Sequence, residues 1–190
     1  ANDVSNQINS GSTTKTITAN GNAAAGVGTA NFYGGSYSFD GTGDYLNTSS
    51  SSDFAFGTGD FTIECWVYHT AAISAGDGIF QISTGSGGYN GSDSNTLTLQ
   101  TSGSKYMGYA NDAAADYVTP NIINEWTHLA LVRNSSVTNL YVNGVKSSTN
   151  VSDSRNYTGT YLGIGIYYGT SYVWQGYMQD FRVYKGVAKY

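Results

Sequence analysis

The sequence has 190 residues, of which 25 are Gly and 17 are Tyr, while only 11% are charged. Its aromatic content of 14% argues against a disordered chain, and its many Thr, Tyr and Val residues favour strands over helices. The net charge of −5 and the lack of a basic stripe exclude nucleic acid as an expected partner. No apolar run is long enough for insertion into a membrane.

The first quarter of the chain contains the first predicted strands. Thr14–Thr18 has the composition of an edge strand, whereas Asn20–Ala30 has that of a loop. Tyr33–Leu46 predicts a pair of strands in which Phe39 enters the core, because the two Asp/Gly pairs within it are typical of tight turns.

Phe61–Tyr68 alternates cleanly between two faces, as a strand with two different environments would. One face carries Phe61, Ile63, Cys65 and Val67, and the other carries Thr62, Glu64, Trp66 and Tyr68. The first face is predicted to be core, so the single Cys is expected to be a buried apolar residue. The second face places a carboxylate between aromatic rings, which predicts either a half-exposed surface or a groove.

The middle of the chain continues the series of short strands. Gly78–Ser83 predicts one strand, and Thr96–Gln100 with Tyr106–Tyr109 predicts a hairpin. The Gly/Ser/Asn-rich stretch Gly85–Asn95 and the acidic stretch Asn111–Tyr117 are both predicted to be loops.

A central hairpin is predicted within Glu125–Gly144. Leu129–Val132 is apolar on both faces, which indicates a strand inside a sheet that is covered on both sides. Asn134–Asn139 is short and polar and predicts a loop. Leu140–Val142 then forms the second strand, closed by the turn pair Asn143-Gly144.

Tyr161–Tyr167 and Met178–Tyr184 predict the last strands. Short strands separated by Gly-containing turns are typical of an all-β sandwich. The chain has no repeat of fixed period and no shift in composition, so we expect a single domain over residues 1–190.

Four stretches together resemble a known family. They are FDGTGDYL at Phe39–Leu46, GDFTIECWV at Gly59–Val67, the hairpin Trp126–Gly144, and GYMQDFRVYKGVAKY at Gly176–Tyr190. Their order and spacing resemble the laminin G-like domains with the concanavalin A-type jelly roll, which are common in marine phage and bacterial structural proteins. The resemblance implies an all-β jelly-roll β-sandwich of two antiparallel sheets that forms one module of a longer polypeptide.

The acids needed for catalysis are not recognisable in the sequence. Glucanases of this fold carry closely spaced acids on one strand, because glycoside hydrolysis needs two opposed carboxyl groups. Here Glu64 and Glu125 are the only glutamates, and no second acid follows Glu64 two or four residues later. We therefore expect no catalytic residues and no enzymatic activity. His128 has no accompanying nucleophile motif and is predicted to be a hydrogen-bonded structural residue.

Calcium is the cofactor for which the sequence offers ligands. Asp40, Asp44 and Asp180 carry hard oxygen donors, and the resemblance implies that Asp180 lies next to the N-terminal strand. The alternative is that these acids cap turns, or pair with Arg182 and backbone N–H groups. The lack of a continuous Asp-x-Asn-x-Asp loop favours this alternative.

Glycan binding requires flat apolar rings for the sugar faces and polar side chains for the hydroxyl groups. Predicted loops supply that chemistry through Tyr89, Asn90, Asp93, Asn111, Asp112, Tyr117, Tyr167, Tyr168 and Tyr172. The same tyrosines would also suit contacts with another protein, including a second copy of this chain, and the sequence does not separate the two. Trp174 is expected to be core, because the family holds an aromatic residue at its place.

These features and the resemblance imply a non-catalytic attachment or structural module of a phage virion, such as a fibre or surface protein. Its expected location is the virion surface or the extracellular space. It would bind a host-surface glycan or a neighbouring virion protein, and weak single sites would favour a homo-oligomer or multivalent array. A secreted bacterial carbohydrate-binding domain is the alternative, and a glucanase is the third possibility.

Overall fold

The computed structural model describes residues 12–70, 76–85, 95–103, 105–117, 122–167 and 171–190. In these residues the regular structure is strand, apart from one 3₁₀ turn at Ser52–Phe54. The strands are β1 Ile17–Asn20, β2 Ala24–Gly26, β3 Ser36–Asp40, β4 Tyr45–Thr48, β5 Phe61–His69, β6 Gly78–Ser83, β7 Leu97–Ser102, β8 Lys105–Ala110, β9 Ala113–Tyr117, β10 Trp126–Asn134, β11 Val137–Val142, β12 Val145–Lys146, β13 Val151–Ser152, β14 Tyr161–Ile164, β15 Ile166–Tyr167, β16 Tyr172–Val173 and β17 Gln175–Lys185. No helix within these ranges has both the length and the apolar character that crossing a membrane would require.

Two antiparallel sheets form a jelly-roll sandwich, which confirms the predicted fold class. The first sheet has seven strands in the order β1-β4-β14-β6-β7-β8-β9. The second has eight strands, in the order β12-β11-β10-β5-β17-β3-β2 with β13 also paired to β11. The strands β15 and β16 form a separate hairpin.

The core lies between the two sheets and contains the side chains predicted to face inward. Those residues are all buried: Ile63, Cys65, Val67, Leu129, Leu131, Leu140 and Val142. Trp174 is fully buried as well, as predicted. Burial, and then the negative charges of nearby acids, raises the pKa of the Cys65 thiol, so it is protonated at neutral pH and a poor nucleophile.

The central hairpin is tighter than its composition indicated. β10 continues to Asn134 and β11 begins at Val137, so the predicted loop over Asn134–Asn139 is wrong. Ser135 and Ser136 alone make the turn, with φ of 50° and 64°. Two residues with positive φ are what a type I′ turn requires, and Asn-Gly is the usual sequence signal for it. A Ser-Ser pair gives no such signal, so the composition suggested a longer loop.

Other predicted boundaries also differ from the structure, and the predicted strand Tyr161–Tyr167 is divided into β14 and β15. The first edge strand is β1, which begins later than the predicted Thr14–Thr18. The supposed loop Asn20–Ala30 contains the edge strand β2. The supposed loop Asn111–Tyr117 is a turn at Asn111 and Asp112, both with positive φ, followed by β9. Its Ala-rich sequence has low strand propensity, but pairing with β8 decides the conformation.

A β-bulge in β17 changes what the outer face of the eight-stranded sheet presents. Between the pairs Gln179–Trp66 and Arg182–Glu64, two residues of β17 oppose one residue of β5. Asp180 lies in this bulge with φ of 57°. The extra residue allows Asp180 and Arg182 to line the same pocket on the outer face.

Candidate functional site

Aromatic side chains form a row across the outer face of the eight-stranded sheet. Trp126 of β10, Tyr68 of β5 and Tyr177 of β17 occupy paired positions on three adjacent strands. The centroid of the Tyr68 ring lies 5.6 Å from that of Trp126 and 6.0 Å from that of Tyr177. All three side chains are half-buried, so each ring remains partly open to solvent. We call these three residues the aromatic ledge.

The ledge leads into a cleft of about 280 Å³, which we call the polar cleft. Its lining comprises Asn22, Ser38, Phe39, Asp40, Asp44, Thr70, Gln175, Gly176 and Tyr177. Asp44 is buried and fixes one wall, because its carboxylate accepts hydrogen bonds from the backbone N–H of Asn22 at 2.7 Å and of Asp40 at 2.8 Å. The carboxylate of Asp40 is itself held by the backbone N–H of Thr42 and is exposed. The cleft therefore combines an aromatic wall with an oriented carboxylate.

A second pocket on the same face surrounds the nearly buried Glu64, and we call it the Glu64 pocket. The Glu64 carboxylate accepts hydrogen bonds from Lys189 Nζ at 3.0 Å and Tyr190 Oη at 2.7 Å. His128 Nε2 lies 3.5 Å from it. Burial would raise the pKa of Glu64, but the hydrogen bonds from His128, Tyr190 and Lys189 outweigh it and lower the pKa to about 2. Glu64 is therefore ionised at neutral pH and fixed beneath the last residues of the chain.

Substituting Glu64 by Gln is expected to make the free energy of unfolding depend less on pH in the acid range. The pKa of Glu64 is about 2 in the folded chain against an ordinary value of 4.5. Its stabilising contribution is therefore complete above about pH 5 and is lost as the pH falls toward about 2. The free energy of unfolding in urea, measured over that range, should fall less steeply in Glu64→Gln than in the wild type. Equal slopes would show that other carboxylates control acid unfolding.

The three aspartates predicted as calcium ligands lie in two places. Asp40 and Asp44 line the polar cleft, whereas Asp180 lines the Glu64 pocket, where its carboxylate contacts Arg182 Nη2 at 2.6 Å. Asp40 pairs with Gln175, and Asp180 lies five residues further along β17, about 16 Å in an extended strand. The described ranges hold no group of three or more His, Cys, Asp or Glu side chains suited to a metal ion. Asp180 therefore does not share a site with the other two, and calcium at Asp40 and Asp44 stays a prediction.

Among the residues predicted to bind glycan, those that the structure describes lie at separate places. Arg155 binds both residues of the β8–β9 turn, at 2.9 Å from Asn111 Oδ1 and 2.7 Å from Asp112 Oδ2. Tyr167 and Tyr172 face each other across the β15–β16 hairpin, with centroids 5.9 Å apart. Tyr89, Asn90, Asp93 and Tyr168 lie outside the described residues, as does the side chain of Tyr117 at the end of β9. The part they play in binding stays a prediction.

The aromatic ledge is the site that sequence reasoning missed, although one of its rings was signalled. The alternation of Phe61–Tyr68 placed Trp66 and Tyr68 on a face predicted to be either half-exposed or a groove. In the structure both are half-buried, whereas Thr62 and Glu64 of the same face are buried. Trp126 and Tyr177 join Tyr68 only through the pairing of β10 and β17 with β5. Strand register between distant segments is not contained in any one of them.

Comparison with known proteins places this geometry in a family. A family model described as the concanavalin A-like lectin/glucanases superfamily, of the laminin G type, matches residues 40–189. The chain belongs to this superfamily. The matched range contains the whole aromatic ledge, and it confirms the laminin G-like resemblance. A search of curated protein sequences gave no match.

Solved structures share the superfamily fold with this chain at low sequence identity. Domain 4 of a GH43 extracellular arabinanase from Geobacillus stearothermophilus, in complex with arabinotriose, is 16% identical with a TM-score of 0.66, covering 93% of this chain and 84% of that one. A carbohydrate-binding module, CBM66, from Bacillus subtilis is 19% identical with a TM-score of 0.51, covering 88% and 94%. Domains LG4-5 of the mouse laminin α1 chain are 16% identical with a TM-score of 0.59, covering 78% and 40%. At these identities the likeness establishes the fold.

Proposed function

We propose that the chain is a non-catalytic carbohydrate-binding module that acts outside the cell. The observation that carries this proposal is the aromatic ledge running into the polar cleft. A sugar ring has an apolar C–H face that packs on an aromatic ring, and hydroxyl groups that need hydrogen-bond partners. Tyr68, Trp126 and Tyr177 would provide the packing surface, and Asp40 and Gln175 would bind the hydroxyl groups.

The ledge is held in place before any ligand binds. Its three rings stand on hydrogen-bonded strands in the middle of the sheet. Gly176 allows β17 to approach β5 closely, because a Cβ atom at that position would lie 2.0 Å from the carbonyl oxygen of Tyr68. A binding surface that needs no rearrangement loses little conformational entropy on binding. This supports direct recognition of a ligand by the face of the sheet.

The state of the carboxyl groups on this face supports binding without hydrolysis. A glycosidase needs a general acid whose pKa is raised, so that it is protonated at neutral pH. Glu64 has a pKa of about 2 and its oxygens are occupied by Lys189 and Tyr190. Glu64 is therefore not prepared to protonate a leaving sugar. The carboxylate of Asp180 is held by Arg182.

The similar structures give the proposal independent support. One is a carbohydrate-binding module, and another is a domain solved with arabinotriose. The same fold also occurs in domains of mouse laminin, so the fold by itself does not decide the ligand. The proposal of a glycan ligand therefore rests on the ledge and the polar cleft.

The assembly that carries the module is a separate part of the proposal. The sequence resemblance to phage structural proteins supports a module on a virion surface. There it would be displayed in many copies or as a homo-oligomer, and it would bind host glycans or a neighbouring virion protein. The secreted bacterial carbohydrate-binding domain is the alternative. The two differ in the parent reading frame: a tandem fibre segment would favour the virion, and an attached hydrolase would favour the secreted protein.

Binding should depend on the ledge. We expect Tyr68→Ala and Trp126→Ala each to weaken the binding of soluble oligosaccharides by roughly ten-fold or more, because each removes an aromatic contact from the middle of the surface. The measurement is a glycan array followed by titration calorimetry with the strongest ligand. Circular dichroism and melting temperature must match the wild type for both variants.

Tyr172→Ala provides a matched control, because it truncates a tyrosine that is 40% exposed and belongs to the predicted loop surface. If the ledge is the site, Tyr172→Ala binds like the wild type. Loss of binding in Tyr172→Ala, with full binding in both ledge variants, would show that the binding site lies at the β15–β16 hairpin. A glycan array with no ligand at all would overturn the proposed function.

A further inference from the structure

We propose that the ligand of the ledge is an uncharged glycan recognised as a separate soluble chain, and neither an acidic glycan nor a crystalline surface. This inference rests on the proposed function. It follows from the placement of the cations, from the tilt of the three rings and from the width of the row that they form.

Seven of the eight Lys and Arg side chains have a hydrogen-bonding or ionic partner within the protein. All eight Lys and Arg residues lie in the described ranges. Seven are engaged: Lys15 with Asp53, Lys105 with Asp116, Arg133 with backbone carbonyls, Arg155 with Asp112, Arg182 with Asp180, Lys185 with the Ser52 carbonyl, and Lys189 with Glu64. Carboxylate, sulfate and phosphate groups are normally bound by Arg or Lys through charge-assisted hydrogen bonds. Of the eight, only Lys146 has no such partner in the described structure, and an acidic ligand would have to compete with the protein's own acceptors for the other seven.

Lys146 is not at the ledge. It lies in the edge strand β12 and pairs with Tyr141, which pairs with Ala130 of β10. Trp126 is four residues further along β10, about 13 Å in an extended strand, and β12 is two further strands away from it. The Asp40 carboxylate lines the polar cleft beside Tyr177 and would repel an acidic glycan. A neutral glycan avoids this repulsion, and its hydroxyl groups can donate hydrogen bonds to the same carboxylate.

The three rings do not share a plane. The ring of Tyr68 is inclined by 61° to that of Trp126 and by 72° to that of Tyr177. A flat crystalline polysaccharide face needs coplanar rings beneath it, because each ring must contact the same plane. Inclined rings instead offer separate faces to successive sugars of a chain that twists. The ledge therefore fits a single chain in solution.

The row is also wider than one sugar ring. Trp126, Tyr68 and Tyr177 occupy paired positions on three adjacent strands. Two steps between strands amount to about 10 Å. A monosaccharide would reach only part of this surface. Affinity should therefore rise from the monosaccharide to a short oligosaccharide of the same series.

The test uses soluble neutral oligosaccharides of the arabino-, xylo-, manno-, gluco- and galacto-series beside oligogalacturonates and sulfated and sialylated oligosaccharides. Microcrystalline cellulose and chitin powder serve as crystalline probes in sedimentation assays. We expect binding only among the neutral soluble probes, lost in Tyr68→Ala, and changing less than about two-fold between about 0.05 and 0.5 M NaCl, because no ion pair contributes.

The possible failures are distinguishable. Ledge-dependent binding of an acidic oligosaccharide, or sedimentation with either powder that Tyr68→Ala abolishes, would overturn this inference while the proposed function stands. Equal affinity for a monosaccharide and its oligomers would overturn the extended site. Binding to no probe of any class would overturn the proposed function and the inference together.

Discussion

Replacing Arg133 with Met is expected to lower the free energy of unfolding by about 3–5 kcal/mol, because removing one partner of a buried ion pair leaves the other charge uncompensated. Arg133 and Asp153 are both fully buried, and Arg133 Nη1 lies 3.6 Å from Asp153 Oδ1. The carboxylate of Asp153 would remain in the core. It would keep its hydrogen bonds from Thr138 and Tyr157, but these compensate its charge only in part.

Arg133 also holds three backbone carbonyl groups that no other side chain reaches in the described structure. Its guanidinium donates to Gly57 at 2.8 Å, to Gly59 at 2.8 Å and to Arg155 at 2.9 Å. The central carbon of the guanidinium lies over the rings of Phe61 and Tyr157, at 5.1 Å and 4.9 Å from their centroids. Methionine matches the length of the side chain but donates no hydrogen bond to these acceptors. The loss of hydrogen bonds from a charged donor adds to the loss of stability.

Urea denaturation of the wild type and of Arg133→Met measures this effect. Arg182→Met is the matched control, because it removes an arginine from an ion pair in which the Arg182 side chain is 42% exposed, and such pairs contribute about 0–1 kcal/mol. Adding Asp153→Asn to Arg133→Met should restore part of the lost stability, since it removes the unpaired charge. Similar destabilisation by Arg133→Met and Arg182→Met would show that the buried contacts of Arg133 contribute no more to stability than an exposed ion pair.

The role of Arg133 illustrates what the sequence could and could not predict. The alternation of Phe61–Tyr68 and the apolar run Leu129–Val132 predicted two strands and their inward faces correctly, because burial imposes a local period. Arg133 follows that run, and locally it is typical of a strand leaving the core. Its acceptors at Gly57 and Gly59 lie more than 70 residues away. Hydrogen bonds between segments so distant in sequence depend on strand pairing, which local patterns do not specify.

The candidate site was also predictable only in part from the sequence. Aromatic residues on loops were predicted to bind because Tyr and Asn have the required chemistry, and composition alone shows that chemistry. The ledge needs Tyr68, Trp126 and Tyr177 in register across three strands, which composition does not show. Asp180 was grouped with Asp40 by the family resemblance, but its position in the β17 bulge directs it to the Glu64 pocket.

Truncating Leu131 to Ala is expected to lower the free energy of unfolding by about 2–5 kcal/mol, the usual cost of a cavity in a packed core. Leu131 is fully buried on the inner face of β10. It reaches across the sandwich to Gly108 of β8, where a Cβ atom would lie 2.5 Å from Leu131 Cδ1. The absent side chain at position 108 is therefore the space that Leu131 fills.

This complementarity makes the two positions energetically coupled. Gly108→Ala alone should lower stability by about 1–3 kcal/mol, because the added methyl group overlaps Leu131 in a core that cannot expand freely. In the double variant the new methyl group occupies part of the cavity left by Leu131→Ala. Its loss of stability should be smaller than the sum of the two single losses by about 0.5–3 kcal/mol, as measured by a double-mutant cycle in urea. Strict additivity would mean that Leu131 and Gly108 do not meet, and that the two sheets are packed in a different register from the one described here.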